Sequence, residues 1–229
     1  MEKMKINGIN LEQYHAKLLD YVPGGTAVTN HYNLGYRSLS PVLLDTEVAL
    51  KTLSVTLTIQ GQDRQEAAEY LSMLNKVLYR ESELEMPDGY LYFCILTGIS
   101  EAAHTSEGLC DVTYTFDAVQ RLPLVTAALE SKSEQTFYCQ GEVACECRLT
   151  ITAPQDLEAF TINGLTIQNL EQDVPVVVDG LKKLVTQAGE NKFQETNLVD
   201  FPRLEPGQNT FTLSDATVAV QVEYYPTFL

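Results

Sequence analysis

Any chemistry in this 229-residue chain must be built from 3 histidines, 5 cysteines and 31 carboxylates. His15, His31 and His104 are scattered, and no two stand at the i, i+4 spacing of a helical metal pair. They read as surface or structural residues. In "ACEC", Cys145 and Cys147 are two apart on one face of a strand, whereas zinc ligands normally have two to four residues between them. Cys94, Cys110 and Cys139 complete no recognisable ligand set. The odd count of 5 implies reduced thiols that pack as small hydrophobes, with an adventitious metal or redox role as the alternative. Glu142 with Glu146, or Glu81, Glu83 and Glu85, offer carboxylate pairs of the kind that hydrolyse glycosides. With 31 acids such pairings arise by chance. The alternation of Glu81, Glu83 and Glu85 reads as the outward face of a strand, and Glu142 and Glu146 as solvent-facing. There is no G-x-S-x-G elbow, no P-loop and no dinucleotide-binding glycine motif. The sequence therefore predicts no enzyme, with no catalytic, cofactor-binding or metal-binding residue and no cofactor.

Composition points to a binding or structural role. The net charge of -16 is spread along the chain: residues 1–126 hold 9 Lys+Arg against 16 Asp+Glu (-7), and residues 127–229 hold 6 against 15 (-9). Such a surface repels phosphate backbones, which excludes sequence-specific nucleic-acid recognition. No apolar run approaches the roughly 20 residues of a membrane helix. The opening "MEKMKINGIN" has charge but no apolar signal region, so folding is expected in the cytoplasm without a membrane partner. Sugar binding on a β-sandwich is a competing reading. It is weakened by the absence of tryptophan, although 12 tyrosines could stack on a pyranose.

The elements that would position any site are mostly strands. "MKINGI" and "HAKLLDYV" read as short strands, "PGG" as a turn, and "AVTNHYNLGYRSLSPVLL" as strand and loop. In "EVALKTLSVTLTIQ" Leu53, Val55, Leu57 and Ile59 share one strand face. One helix is expected over residues 63–79, opened by Asp63 and Glu66 as a capping box, with Ala67, Leu71, Leu74 and Leu78 as its apolar stripe. Two strong strands follow. The stretch "QRLPLVTAALESKSEQT" shows no strand period and is read as a boundary between domains at 1–126 and 134–229. In the second domain Asn163-Gly164 and Asp179-Gly180 predict tight hairpin turns, and Pro206-Gly207 predicts a type II corner. After that corner Val218, Val220, Val222 and Tyr224 keep the period of a buried strand. Strands, one helix, then more strands give a mainly β (α+β) fold.

These stretches resemble the distal tail proteins of long-tailed, non-contractile bacteriophages. In the first half the resemblance rests on "INGINLEQYHAKLLDYVPGG", "RSLSPVLL" and "LKTLSVTLTIQGQDRQEAAEYLSMLNKVL". In the second it rests on "VDGLKKLV", "VDFPRLEPGQNTFTL" and "VAVQVEYYPTFL", with Phe201, Pro202, Leu204, Pro206, Gly207 and Asn209 as its most specific stretch. The resemblance implies an N-terminal β-sandwich bearing one helix and a galectin-like C-terminal β-sandwich. It also implies a hexameric ring in the virion tail, set between the tail tube and the tail-tip protein and assembled in the host cytoplasm. DNA would pass through its bore without being held. A two-domain carbohydrate-binding or host-recognition protein is the alternative function.

Overall fold

The computed structural model describes residues 4–34, 40–129 and 132–228. The first three residues, part of "RSLSPVLL", the first two residues of "ESK" and the final leucine lie outside the described residues. The chain divides into two compact units, one ending at Arg121 and the other spanning Leu122–Phe228. Each has its own apolar core.

In the first unit β1 (Lys5–Ile6) and β2 (Ile9–Asn10) form a hairpin through Asn7 and Gly8, both at positive φ. Then come β3 (Ala16–Leu34), β4 (Pro41–Gln60), α1 (Arg64–Leu78), β5 (Ser82–Glu85), β6 (Leu91–Ile99), β7 (Ala103–Ser106) and β8 (Leu109–Arg121). These strands form one antiparallel sheet in the order β2-β1-β5-β6-β8-β4-β3, with β7 also on β8. Directly opposed pairs such as Val55 with Tyr114 and Leu57 with Val112 point inward. They meet Ala67, Leu74 and Leu78 of α1, and the Tyr114 hydroxyl donates to Asn75 Oδ1 at 2.7 Å. The outward face of the same rows is polar, with Thr56 against Thr113 and Thr58 donating to Asp111.

The helix starts as its sequence dictates: Asp63 accepts from the Glu66 amide at 2.9 Å, and the Glu66 carboxylate reaches back to the Gln62 amide. "PGG" is not a turn. β3 continues through Pro23, Gly24 and Gly25 as a bulged strand whose register against β4 shifts between Pro23 and Thr26. A bulge tolerates a proline without a donor, and a Cβ on Gly24 would stand 2.8 Å from the Thr52 carbonyl oxygen, so glycine admits that close approach.

The second unit contains β9 (Val125–Ala128), β10 (Glu134–Cys139), β11 (Cys145–Thr152), β12 (Leu157–Ile162), β13 (Leu165–Leu170), β14 (Val176–Asp179), β15 (Leu184–Gln187), β16 (Glu190–Asn191), β17 (Arg203–Leu204), β18 (Gly207–Thr212) and β19 (Ala219–Tyr224). One sheet runs β16-β15-β14-β11-β19-β9, and the pairs β10-β18 and β12-β13 supply the strands facing it. Leu149, Ile151, Val178, Val220 and Val222 pack with Phe160, Ile162, Ile167, Phe211 and Leu213. The expected mainly β fold with one helix is what the structure has.

Two readings need correction. The stretch read as patternless carries β9, paired to β19; its alanines at 127 and 128 mask the period of two. Asn163 and Gly164 do make the tight turn between β12 and β13, whereas Asp179-Gly180 does not. The β14–β15 hairpin closes through four residues, 180–183, with the positive φ at Lys183. A Cβ on Gly180 would stand 2.6 Å from the Cys147 carbonyl oxygen, so its lack of a side chain serves packing. Asp179 itself is buried, accepting from the Leu181 and Lys182 amides and pairing with Arg148 at 2.8 Å. Arg148 also reaches Glu223 at 3.2 Å, so one cation bridges three adjacent strands.

Removing one partner of a buried pair leaves the other uncompensated. Asp179→Ala is therefore expected to destabilise the second unit by about 3 kcal/mol, read as a lower urea midpoint for its transition. Asp63→Ala removes only a helix cap and is expected to cost the first unit about 1 kcal/mol in the same measurement.

Candidate functional site

The sequence-level candidates for chemistry do not converge. His15 stacks on Tyr70 with ring centroids 3.8 Å apart, His31 lies on β3 within 3.4 Å of Glu47, and His104 is exposed on β7. Glu85 pairs with Lys5 at 2.8 Å and Glu146 with Lys183 at 2.5 Å. Among the described residues no three His, Cys, Asp or Glu side chains could hold a metal, and no helix is long and apolar enough to cross a membrane. All five cysteines are buried. Burial pushes the Cys94 and Cys147 thiols up to about 12, which keeps both protonated.

A cavity of about 180 Å³ in the second unit is the place to look for a sugar site. Its lining is mostly aliphatic, with Leu149, Ile162, Leu165 and Leu198 among the residues. Its two asparagines are already engaged: Asn163 accepts from the Thr212 amide and donates to the Thr210 carbonyl. Asn209 likewise accepts from the Glu205 amide and donates to the Glu205 carbonyl, which ties the Pro206-Gly207 corner shut. At about 180 Å³ this cavity is smaller than the roughly 300 Å³ at which ligand pockets usually begin.

The feature that stands out is a surface. β3 and β4 run on beyond the core as a two-stranded arm, residues 27–34 paired with residues 41–50, in which every residue is exposed. At about 3.4 Å per residue the arm is roughly 30 Å long. Its register sorts the side chains into two faces. Val28 opposes Val48, Asn30 opposes Thr46, Tyr32 opposes Leu43 and Leu34 opposes Pro41 on one face. The Thr46 hydroxyl donates to Asn30 Oδ1 at 2.9 Å, as that pairing requires. The other face carries Thr29 with Glu47 and His31 with Asp45. Leu44 falls in the register shift after His31 and is 67% exposed, while Tyr32 and Leu43 are 58% and 61% exposed.

An isolated hairpin is marginal in water, and a contiguous exposed apolar face marks an interaction site. The arm holds its shape because β4 is one continuous strand whose other half buries Leu53, Val55, Leu57 and Ile59 beneath α1. Sequence reading starts the long strand at Glu47 and leaves residues 27–44 as strand and loop without pairing them. The missed signal is the pair of strand-forming runs, "TAVTNHYNL" and "PVLLDTEVAL", on either side of a short connection.

A second, smaller apolar patch lies on the outward face of β6, where Phe93 and Ile95 are exposed at alternate positions. Arg121 lies over the Phe93 ring at 5.6 Å.

Residues 140–228 match the family described as the siphovirus-type tail component, C-terminal domain. The whole fold is similar to the crystal structure of SPP1 Dit (gp 19.1), a hub of the adsorption apparatus in phages infecting Gram-positive hosts. That match has a TM-score of 0.77 at 12% identity and covers 99% of each chain. A chain of the phage P2 baseplate in its activated conformation with Ca is similar at a TM-score of 0.56 and 10% identity, over 96% of this chain and 94% of that one. The same baseplate with Sr gives 0.58 and 10%, over 96% and 97%. No curated protein sequence matches the chain. The resemblance to distal tail proteins thus holds by sequence over the C-terminal segment and by fold over the whole chain.

Because the arm's side chains are in water, Tyr32→Asp with Leu43→Asp is expected to change folding stability by no more than about 0.5 kcal/mol. Leu57→Ala, on the buried half of the same strand, is expected to cost about 3 kcal/mol. Urea unfolding of the two variants side by side checks both.

Proposed function

We propose, from the premise of a siphovirus tail-component segment on a distal-tail-protein fold, that this chain is a structural hub subunit of a phage or prophage tail. Six copies close into a ring that joins the tail tube on one side to the tail-tip protein on the other. The observation that carries this reading is the arm: its apolar face is left in water by the chain's own fold, so covering it is a task for another copy. A closed ring needs a head-to-tail contact between two different patches. The strip of Phe93 and Ile95 on β6 is a second exposed apolar patch on the same unit, and the arm of one copy lies on that strip of the next. The number six comes from the resemblance. The role is structural and non-enzymatic, exercised in the virion tail after assembly in the host cytoplasm.

The charge of -16 suits the same role, because a bore through which DNA slides must not grip phosphate.

Light scattering of the full chain over a concentration series tests the proposal. The wild type is expected to approach six chains per particle at high concentration. Tyr32→Asp/Leu43→Asp and, separately, Ile95→Asp are expected to stay monomeric. Mixing the two variants leaves one intact arm and one intact strip, so the mixture should yield dimers. Monomers of the wild type at every concentration, or variants that assemble as it does, would overturn the reading. A mobility shift of duplex DNA at micromolar protein and physiological salt is expected to be absent.

A further inference from the structure

The thiols of Cys139 and Cys145 touch, although nothing in a tail-hub role uses them. Cys139 ends β10 and Cys145 opens β11, and their sulfurs lie 3.7 Å apart in hydrogen-bond contact. The five residues between them are pinned. The Gln140 amide donates to the Tyr224 hydroxyl at 3.1 Å, and the Glu142 and Val143 amides both donate to the Thr227 carbonyl. Gly141, at φ 117°, lies so close to that segment that a Cβ would stand 2.8 Å from the Thr227 carbonyl oxygen. The loop therefore fixes the two strand ends, and with them the two thiols. A disulfide bond is about 2.0 Å long, so the two sulfurs, already in contact at 3.7 Å, have to approach one another further to bond.

We propose that Cys139 and Cys145 are a disulfide site, open in the reduced chain and closed by exchange with a small-molecule disulfide. The Cys139 thiol also reaches the Gln140 carbonyl at 3.3 Å, while the Cys147 thiol donates to the Pro202 carbonyl and the Cys94 thiol to the Tyr92 carbonyl, neither of them against another sulfur. Cys94 and Cys110 belong to the other unit. Cys145 is 6% exposed against 1% for Cys139, which makes it the entry point. Its thiol loses a proton to solvent and the thiolate attacks one sulfur of oxidised glutathione. The glutathione S–S bond breaks, a mixed disulfide forms on Cys145, and one glutathione leaves as thiolate and takes up a proton. Cys139 then gives up its proton and attacks the Cys145 sulfur, expelling the second glutathione. Two cysteine thiols are oxidised and one glutathione disulfide is reduced to two thiols. Burial pushes the Cys139 thiol up, while its contacts with the Cys145 thiol and the Tyr224 hydroxyl pull it partly back. The second step therefore sets the pace. The closed bond staples the loop that holds Thr227. A natural occasion for it, release of a particle from the reducing cell, rests on the tail-hub reading; the chemistry does not.

The test is to incubate the folded full chain with excess oxidised glutathione at about pH 8, where thiolate forms, then quench with acid, denature and count thiols. The expected result is a fall from the 5 thiols of the reduced chain to three, a Cys139–Cys145 linked peptide in the protease digest, and recovery of all five with dithiothreitol. Cys139→Ser is expected to accumulate the glutathione mixed disulfide at Cys145, and Cys145→Ser to keep its four thiols. Five thiols surviving in the folded wild type, or a linked peptide joining any other pair, would overturn the proposal. The wild-type digest decides it even if a serine variant fails to fold, and it does so whether or not the chain forms rings.

Discussion

The burial of Leu53, Val55, Leu57 and Ile59 beneath α1 is the constraint on which the rest of the first unit depends. These side chains fix the register of β4 against both β3 and β8. One buried face fixes which way the side chains of β4 point in the core, because a slip of one residue would turn them all to the wrong side. The outer half of β4 continues that strand without burying anything, and its pairing with β3 is reset by bulges between Pro23 and Val28 and again after His31. This is how a hairpin in water comes to present Val28, Tyr32, Leu43 and Val48 on one face. The core does not use the arm; it aims it.

The second unit is built on a different balance. Its two layers are closed by aliphatic packing, while its corners are secured by polar side chains turned inward on their own backbone. Asn209 holds the Pro206-Gly207 corner, Asn163 bridges the β12–β13 turn to β18, and Asp179 combines a turn with the Arg148 pair. Polar groups spent this way are unavailable to a ligand. Asn163 and Asn209, which line the cavity of about 180 Å³, are closed to a sugar in this way.

Period-two patterns wherever one face is buried were legible in the sequence: Leu53 to Ile59, Val218 to Tyr224, and the stripe of α1 opened by Asp63. Turns whose chemistry is local were legible too, as at Asn163-Gly164 and Gly207, both at positive φ. Features decided by partners distant in sequence were not. Gly24 and Gly180 look like turn residues, yet each is a glycine because another strand's carbonyl lies against it. Asp179 reads as a hairpin residue, and only the fold brings Arg148 to it. The arm was hidden for a related reason: "PVLLDTEVAL" lacks the alternation that burial imposes, because no part of its own chain buries it. The contact of Cys139 with Cys145 likewise depends on a loop clamped by Thr227, 82 residues further on than Cys145.

Backbone hydrogen exchange of the full chain, followed as its concentration is raised, tests most directly whether the arm is where copies meet. Among the described residues no further strand pairs with the arm's outer edges, and amides along its β3–β4 ladder open easily in an isolated hairpin. The account predicts that exchange across residues 26–34 and 41–50 slows as particles form, together with exchange along β6 near Ile95, while the second unit's strands stay unchanged. Particles that grow in mass while the arm exchanges as fast as in the monomer would contradict it, because the contact that builds them would then lie on another surface.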